Sequence, residues 1–300
     1  MSSPAALTRS APAATNLTTM AAPTVASSVV PNTESAVHMN LRGLYRLQSG
    51  RYAQALPEFS SALNTVKSVI AHREAAAQAQ ARLPSIRLGF EFYNQDEDEE
   101  DQEMTDSCCI SSSSDESSSP FLFQSPIIVS YISGAHDCDC DCDMLESHQS
   151  KNDDSFYNLV RFSSAILFNL ALTYHLAALQ DQDKTGPQSP EKLAKQKRKL
   201  SKALTFYKLS YTMMQDCHHD GVLETMAIAN NLGHAQLMVG DVTKAKQCYE
   251  HLLSTMMFVV DAGTVAGGAE SGIPTRHFDA FFHSVQTMVL PTYGTIAQAA

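Results

Sequence analysis

Large apolar residues recur along this chain at steps of three and four, in runs that come in pairs. Tyr52, Ala55, Leu56, Phe59, Ala62 and Leu63 form one such stripe, which predicts a helix that buries one side. A shorter helical pattern precedes it and stops at Gly50, and Pro84 ends the pair. A second pair follows from about Ser155. Leu167, Leu170, Ala171 and Tyr174 mark its first helix, and Leu200, Ala203, Leu204, Tyr207 and Tyr211 mark the second, over 193–214. The third pair is the tightest. It runs over 222–239 and 242–260 about a Gly240-Asp241 turn, where Asp241 is placed to accept a free backbone N–H as an N-cap. A last amphipathic helix is expected over 276–290, with Phe278, Phe281, Phe282, Val285, Met288 and Val289 on one side.

Between the first and second pairs the period changes from helical to two. Ile86, Leu88, Phe90 and Phe92 alternate with other residues, and 121–132 (FLFQSPIIVSYI) is apolar, β-branched and aromatic. Both read as strands, with Pro126 marking an edge or a break. The expectation is an antiparallel pair of 86–93 with 121–132, packed on the helices because two strands alone are marginal. The alternative is that both segments are short disordered binding motifs.

The recurring small residue, followed on the next helix by Ala and then an aromatic four residues on, is similar to a tetratricopeptide repeat. The residues that carry the resemblance are Gly43, Ala55 and Phe59, then Ala171, Ala203 and Tyr207, then Gly233, Ala245 and Tyr249. The family's bulky first-helix position holds Met39, Leu167 and Ala229, and its Tyr survives only as Tyr174, with Arg46 and Gln236 in its place. The step from Ala171 to Ala203 is also far longer than the family's. The resemblance implies an all-α superhelix of three degenerate repeats with a β-hairpin insert and disordered segments. The expected organisation is a tail over 1–35, repeats over 36–83, 155–216 (with an internal loop at 180–191) and 222–260, an insert over 84–154, a Gly-rich linker over 261–275 and a capping helix over 276–290. Solenoids need such a cap over their last apolar face.

Members of that family usually bind rather than catalyse, in a groove lined by the first helix of each pair. Counted from the small residues, the groove positions implied here are Val37, Asn40, Leu44, Leu47 and Gln48, then Phe168, Leu172, His175 and Leu176, then Asn230, His234, Leu237 and Met238. The first helix of the third pair has no base, which argues against a clamp for carboxylate tails. An apolar peptide or an amphipathic helix suits this floor better. Alternatively the capping helix or the β flap fills the groove in cis, since so much apolar surface rarely stays bare.

Charge divides the chain. The net charge is −11, yet residues 91–154 hold 18 of the 32 acids and a single base, Lys151, leaving 14 acids against 20 bases elsewhere. An acidic, Ser-rich tract at 94–119 faces, in composition, a basic run of Lys192, Lys195, Lys197, Arg198, Lys199 and Lys202. That run sits at a helix start, the wrong end for the dipole. It could meet nucleic acid, an import receptor or the acidic insert, or be a solvated face. No aromatic is interleaved, so nucleic acid is not the expected partner. Ser111–Ser114 precede Asp115-Glu116, an acid-directed phosphorylation context that would deepen the insert's charge.

Seven cysteines form no secreted framework, which suggests a reducing, intracellular setting, cytoplasmic or nuclear. The N-terminus, with Arg9 alone among its first bases, reads as a plain tail more than as an organelle transit peptide. No run of 18 apolar residues occurs, and no membrane span is expected. Cys138, Cys140 and Cys142, flanked by His136 and His148, have soft-metal ligand chemistry at the wrong spacing for a zinc knuckle; a simple Cys-Asp repeat is the plainer reading. Cys217, His218, His219 and Asp220 read as loop or helix-end residues. No phosphate loop, nucleophile elbow or zinc-protease motif occurs, so no cofactor is implied. The sequence therefore predicts a non-catalytic adaptor for a protein or peptide partner. The alternatives are a nuclear regulator acting through 192–202 and 94–119, and a metal-binding protein.

Overall fold

A computed structural model describes residues 32–79, 86–93, 120–131, 150–182, 189–215, 221–261 and 275–289. In chain order these form α1 (Thr33–Gln48), α2 (Tyr52–Gln78), β1 (Leu88–Phe92), β2 (Ile127–Tyr131), α3 (Ser150–Gln182), α4 (Pro190–Gln215), α5 (Val222–Met238), α6 (Val242–Asp261) and α7 (Thr275–Met288). The described residues are predominantly helical, with one small antiparallel strand pair among them. The tail at 1–31, the acidic tract 94–119, the Cys-Asp cluster at 132–149, the 216–220 segment and the linker 262–274 lie outside the described residues.

Each helix packs on the next in the chain. Additional contacts join α1 to α3, α3 to α5 and α5 to α7, so the first helices of the pairs share one side. β2 lies on that side, against α1 and α3.

The seams inside the pairs follow from residue size. A Cβ on Gly43 would stand 2.6 Å from the Phe59 ring, and one on Gly233 would stand 2.9 Å from that of Tyr249. Only a missing side chain lets these aromatics lie across the opposite helix. In the middle pair Ala171 takes the equivalent place, and Tyr207 is fully buried. The turns repeat as well. Gly50 (φ +67°) and Gly240 (φ +87°) each end a helix in the left-handed region. Gly50 N–H donates to Leu47 O and Arg51 N–H to Arg46 O; Gly240 N–H donates to Leu237 O and Asp241 N–H to Gln236 O. This is the Schellman closure, which satisfies carbonyls the helix end leaves free. Asp241 then accepts from Lys244 N–H (3.1 Å) and starts α6, as its position in the sequence suggests.

Several features differ from expectation: α1 starts at Thr33, inside the tail expected over 1–35, and α3 at Ser150, inside the insert expected over 84–154. α3 and α4 both run into the loop expected at 180–191, because Ala177 and Ala178 keep α3 going and Ser189-Pro190 starts α4 early. Pro is at home in a first helical turn, and Ser189 Oγ accepts from Lys192 N–H (3.3 Å). The strand pairing is shorter than 86–93 with 121–132. Its register runs from Leu88↔Tyr131 to Phe92↔Ile127, and the Pro126 ring, lacking an N–H, ends the ladder there. On α7, Phe281, Ser284, Val285 and Val289 are buried, whereas Phe282 is 45% exposed and does not belong to the buried side.

α3 is the central helix. Its stretch Phe156–Gln182 is long and apolar enough, by length and composition, to cross a membrane, and 83% of that window is buried within the fold. The sequence count of uninterrupted apolar residues misses it because Ser163, Ser164, Asn169, Thr173 and His175 interrupt the run. All five are buried, and each has a hydrogen-bond partner inside the protein.

Candidate functional site: the first-helix face

An extended chain leaving a sheet carries N–H and C=O groups that must find partners if it is buried. Residues 120–126 are such a chain: extended, beyond the last paired strand residue, and laid over α5 and α7. Side chains of the helices supply the partners. Asn231 on α5 accepts from Phe123 N–H (2.9 Å) and donates to Phe123 O (2.8 Å). Asn169 on α3 does the same to Ile127, at 2.9 and 2.8 Å. A carboxamide offers one acceptor and two donors, so it can pair with both backbone groups of one residue as a neighbouring strand would. A third residue is held jointly. Phe121 O accepts from Asn230 Nδ2 (2.9 Å), while Ser284 Oγ on α7 accepts from Phe121 N–H (3.1 Å).

The two clamping asparagines are equivalent: Asn169 stands two residues before Ala171, and Asn231 two before Gly233. Counting from the small residues points to Asn40 and Asn230 on this face and to neither clamp. A signal was present. The dipeptide Asn-Leu recurs on all three first helices, at Asn40-Leu41, Asn169-Leu170 and Asn231-Leu232. Asn40 does not clamp the segment; its Oδ1 accepts from Asn169 Nδ2 (3.3 Å). Asn40 Nδ2 and Asn230 Oδ1 are buried without a hydrogen-bond partner.

The other groove positions gather on the same face. Val37, Leu44, Leu47, Phe168, Leu172 and His175 are buried. Leu176, His234, Leu237 and Met238 are half-buried, and Gln48 is exposed. Leu47, Gln48 and Leu176 join Tyr93, Gln124, Ser125 and Pro126 around a cleft of about 200 Å3. The floor is thus brought together by the fold and lies largely beneath the chain's own residues. The Phe123 ring sits 5.0 Å from Phe92, 5.3 Å from Phe281 and 5.3 Å from His277, so β1, α7 and the segment share one aromatic cluster. Arg161 on α3 lies 4.2 Å over the Phe90 ring and pairs with Glu224 on α5. The Arg161 contact with Phe90 ties the hairpin to α3, and the ion pair ties α3 to α5.

Behind the clamps is a polar chain. Asn231 Nδ2 donates to the Tyr207 hydroxyl (3.4 Å), which lies 3.4 Å from His175 Nδ1. His175 Nε2 is 3.1 Å from His234 Nδ1 and 3.3 Å from Met238 Sδ. Burial pushes the His175 pKa down to about 3, helped by the neighbouring His234, and burial pushes His234 down to about 4. Both imidazoles are therefore neutral at physiological pH.

Of the basic run, Lys199 is engaged with α3: its Nζ donates to Asp181 Oδ2 (2.7 Å) and Ala177 O (2.8 Å). Lys202 lies 5.1 Å over the Tyr174 ring. Lys192, Lys195, Lys197 and Arg198 are exposed. Cys138, Cys140, Cys142, His136, His148 and the Cys217–Asp220 group lie outside the described residues. Among the described residues no three of His, Cys, Asp and Glu come together as metal ligands. No family model matches this sequence, and comparison with curated proteins and with solved structures returns no match.

Proposed function

We propose that this chain is a non-catalytic interaction module, similar to a tetratricopeptide-repeat array, whose first-helix face grips an extended apolar peptide by its backbone. The observation that carries this reading is the repeated two-bond clamp, Asn169 on Ile127 and Asn231 on Phe123. Backbone clamps hold an extended chain of many sequences, and the Phe123 cluster adds a preference for an aromatic residue. On this reading residues 120–131 are the resident occupant, and a partner segment of the same kind takes their place. The unpartnered Asn40 Nδ2 and Asn230 Oδ1 support it, because each orphaned buried group costs about 1–3 kcal/mol and a better-matched peptide would relieve that cost. The three glycine-or-alanine and aromatic seams support the repeat-like part of the reading.

The test uses a fluorescent peptide with the sequence of 120–131 and the full chain carrying Phe123→Asp and Ile127→Asp, which weaken the resident segment. That variant is expected to bind the peptide saturably, and wild type at least tenfold more weakly. Adding Asn169→Leu and Asn231→Leu should abolish binding. A variant that keeps its helical circular dichroism yet ignores the peptide would sink the proposal.

A further inference from the structure

We propose that His175, His234 and Met238 form a binding site for copper(I). Three potential donor atoms converge at the contact between α3 and α5: His175 Nε2 lies 3.1 Å from His234 Nδ1 and 3.3 Å from Met238 Sδ. One metal held by two imidazole nitrogens at about 2.0–2.1 Å and tetrahedral angles sets those nitrogens roughly 3.3 Å apart. The face needs to open by only a few tenths of an ångström.

The proton accounting favours a metal over hydrogen bonding alone. With both rings neutral, a single N–H can lie between His175 Nε2 and His234 Nδ1, and it cannot also serve the thioether. When the metal binds, each ring keeps its one proton on the far nitrogen. On His175 that is Nδ1, where the Tyr207 hydroxyl lies 3.4 Å away and can accept it. A metal-bound histidine is ordinarily oriented in this way by a hydrogen bond to its other nitrogen. Coordination is thus a shift of tautomer with no net proton released.

The donor set chooses the ion. Two imidazoles and a thioether are neutral and include a soft sulfur, which favours copper(I). No carboxylate or thiolate among the described residues joins them, so a divalent ion would bring two charges into the fold with nothing to neutralise either. His234 and Met238 are half-buried, which leaves the site an approach from solvent, whereas His175 is fully buried. None of the three proposed donors is a cysteine, and the proposal does not depend on whether the peptide reading holds.

The experiment uses the full chain with Cys108, Cys109, Cys138, Cys140, Cys142 and Cys217 replaced by Ser, so that loop thiolates cannot capture the ion. Copper(I) is titrated anaerobically against a chromogenic chelator. The expected result is one copper retained per chain, with affinity lowered at least about tenfold by Met238→Leu and by His234→Gln. Circular dichroism should show both variants folded, and zinc(II) should not compete. No retained copper, or equal retention by both variants, would overturn the proposal; displacement by zinc(II) would overturn the choice of ion. A Met238→Leu variant that unfolds is replaced by Met238→Gln, and unaltered copper affinity there would likewise overturn it.

Discussion

The seams within the helix pairs and the face across them are built from opposite materials. At the seams, Gly43 meets Phe59 and Gly233 meets Tyr249, and packing leaves no room for a methyl group. Across the face, Asn169, Asn230, Asn231 and Ser284 hold an extended chain by hydrogen bonds. Dispersion and shape decide the first, and polar satisfaction decides the second. A seam is sensitive to volume, because interiors are close-packed. The face is sensitive to lone pairs, and the proposed exchange of residues 120–131 would give it a way out, because their backbone groups would be solvated in water. The same molecule thus combines a close-packed frame with a strap held by polar clamps.

Volume changes at a seam should do the most damage. Gly233→Val or Gly43→Val is expected to cost upward of about 3 kcal/mol, read as a fall in the denaturation midpoint. The attribution is sharpened by a pair: Gly43→Ala should lose less stability in a Phe59→Leu background than in wild type, since the ring that the new Cβ meets is gone. Additive effects would mean that the contact at 2.6 Å is not what makes the glycine necessary.

The next effect is local. Asn231→Leu or Asn169→Leu preserves bulk but orphans the N–H and C=O of Phe123 or Ile127, at about 1–3 kcal/mol for each group. On the proposed exchange of this segment, most of that cost should appear as faster amide exchange at Phe123 and Ile127 and as easier proteolysis of 120–131. The global midpoint should move less than with Gly233→Val. A loss as large as that of the seam variants would contradict the contrast between frame and strap.

Acid should act on the face before the seams. The pKa of His175 falls to about 3 and that of His234 to about 4, both below the ordinary value of 6.5. The folded state prefers the neutral rings, so stability is fully present above pH about 6.5 and declines as pH falls toward 4. Among the described residues, the side chains bonded to them are each other, Tyr207 and Met238, none of which supplies a negative charge at these pH values. His234→Gln should flatten the decline between pH 6.5 and 4 in thermal melts; an unchanged slope would show that other groups set it. The smallest effect belongs to Asp241→Ala, which removes an exposed cap from α6 and should lower the midpoint by a few degrees at most.

The seams were legible in the sequence because each is local. Gly43 to Phe59 and Gly233 to Tyr249 span the same number of residues, so one template finds both. The turns at Gly50 and Gly240 and the N-cap at Asp241 were legible for the same reason. The face was legible only in outline. Counting from the small residues placed Asn40, Leu44, Leu47, Phe168, Leu172, His175, Asn230, His234, Leu237 and Met238 on one side, but not what lies over them. Asn169 and Asn231 escaped because helical periodicity marks apolar residues, and a buried amide breaks the pattern. The pairing of the two strands was visible in their period, whereas their position over the helices depends on contacts more than a hundred residues apart. The helix seam at Ala171 and Tyr207 was stretched by the long α3 and α4, and the step from Ala203 to Tyr207 on the second helix gave it away.

The strap also imposes an order in time. Phe123 is separated from Asn231 by 108 residues, and Phe121 from Ser284 by 163. At ribosomal speeds of about 5–20 residues per second, the hydrophobic FLF stretch waits roughly 5–30 s for its clamps to be synthesised. During that interval the nascent chain carries this stretch without the asparagines and the serine that later bond its backbone. Any chaperone that meets this protein should meet it there, and a pause in translation after α4 would lengthen the exposure more than a pause anywhere in the first pair.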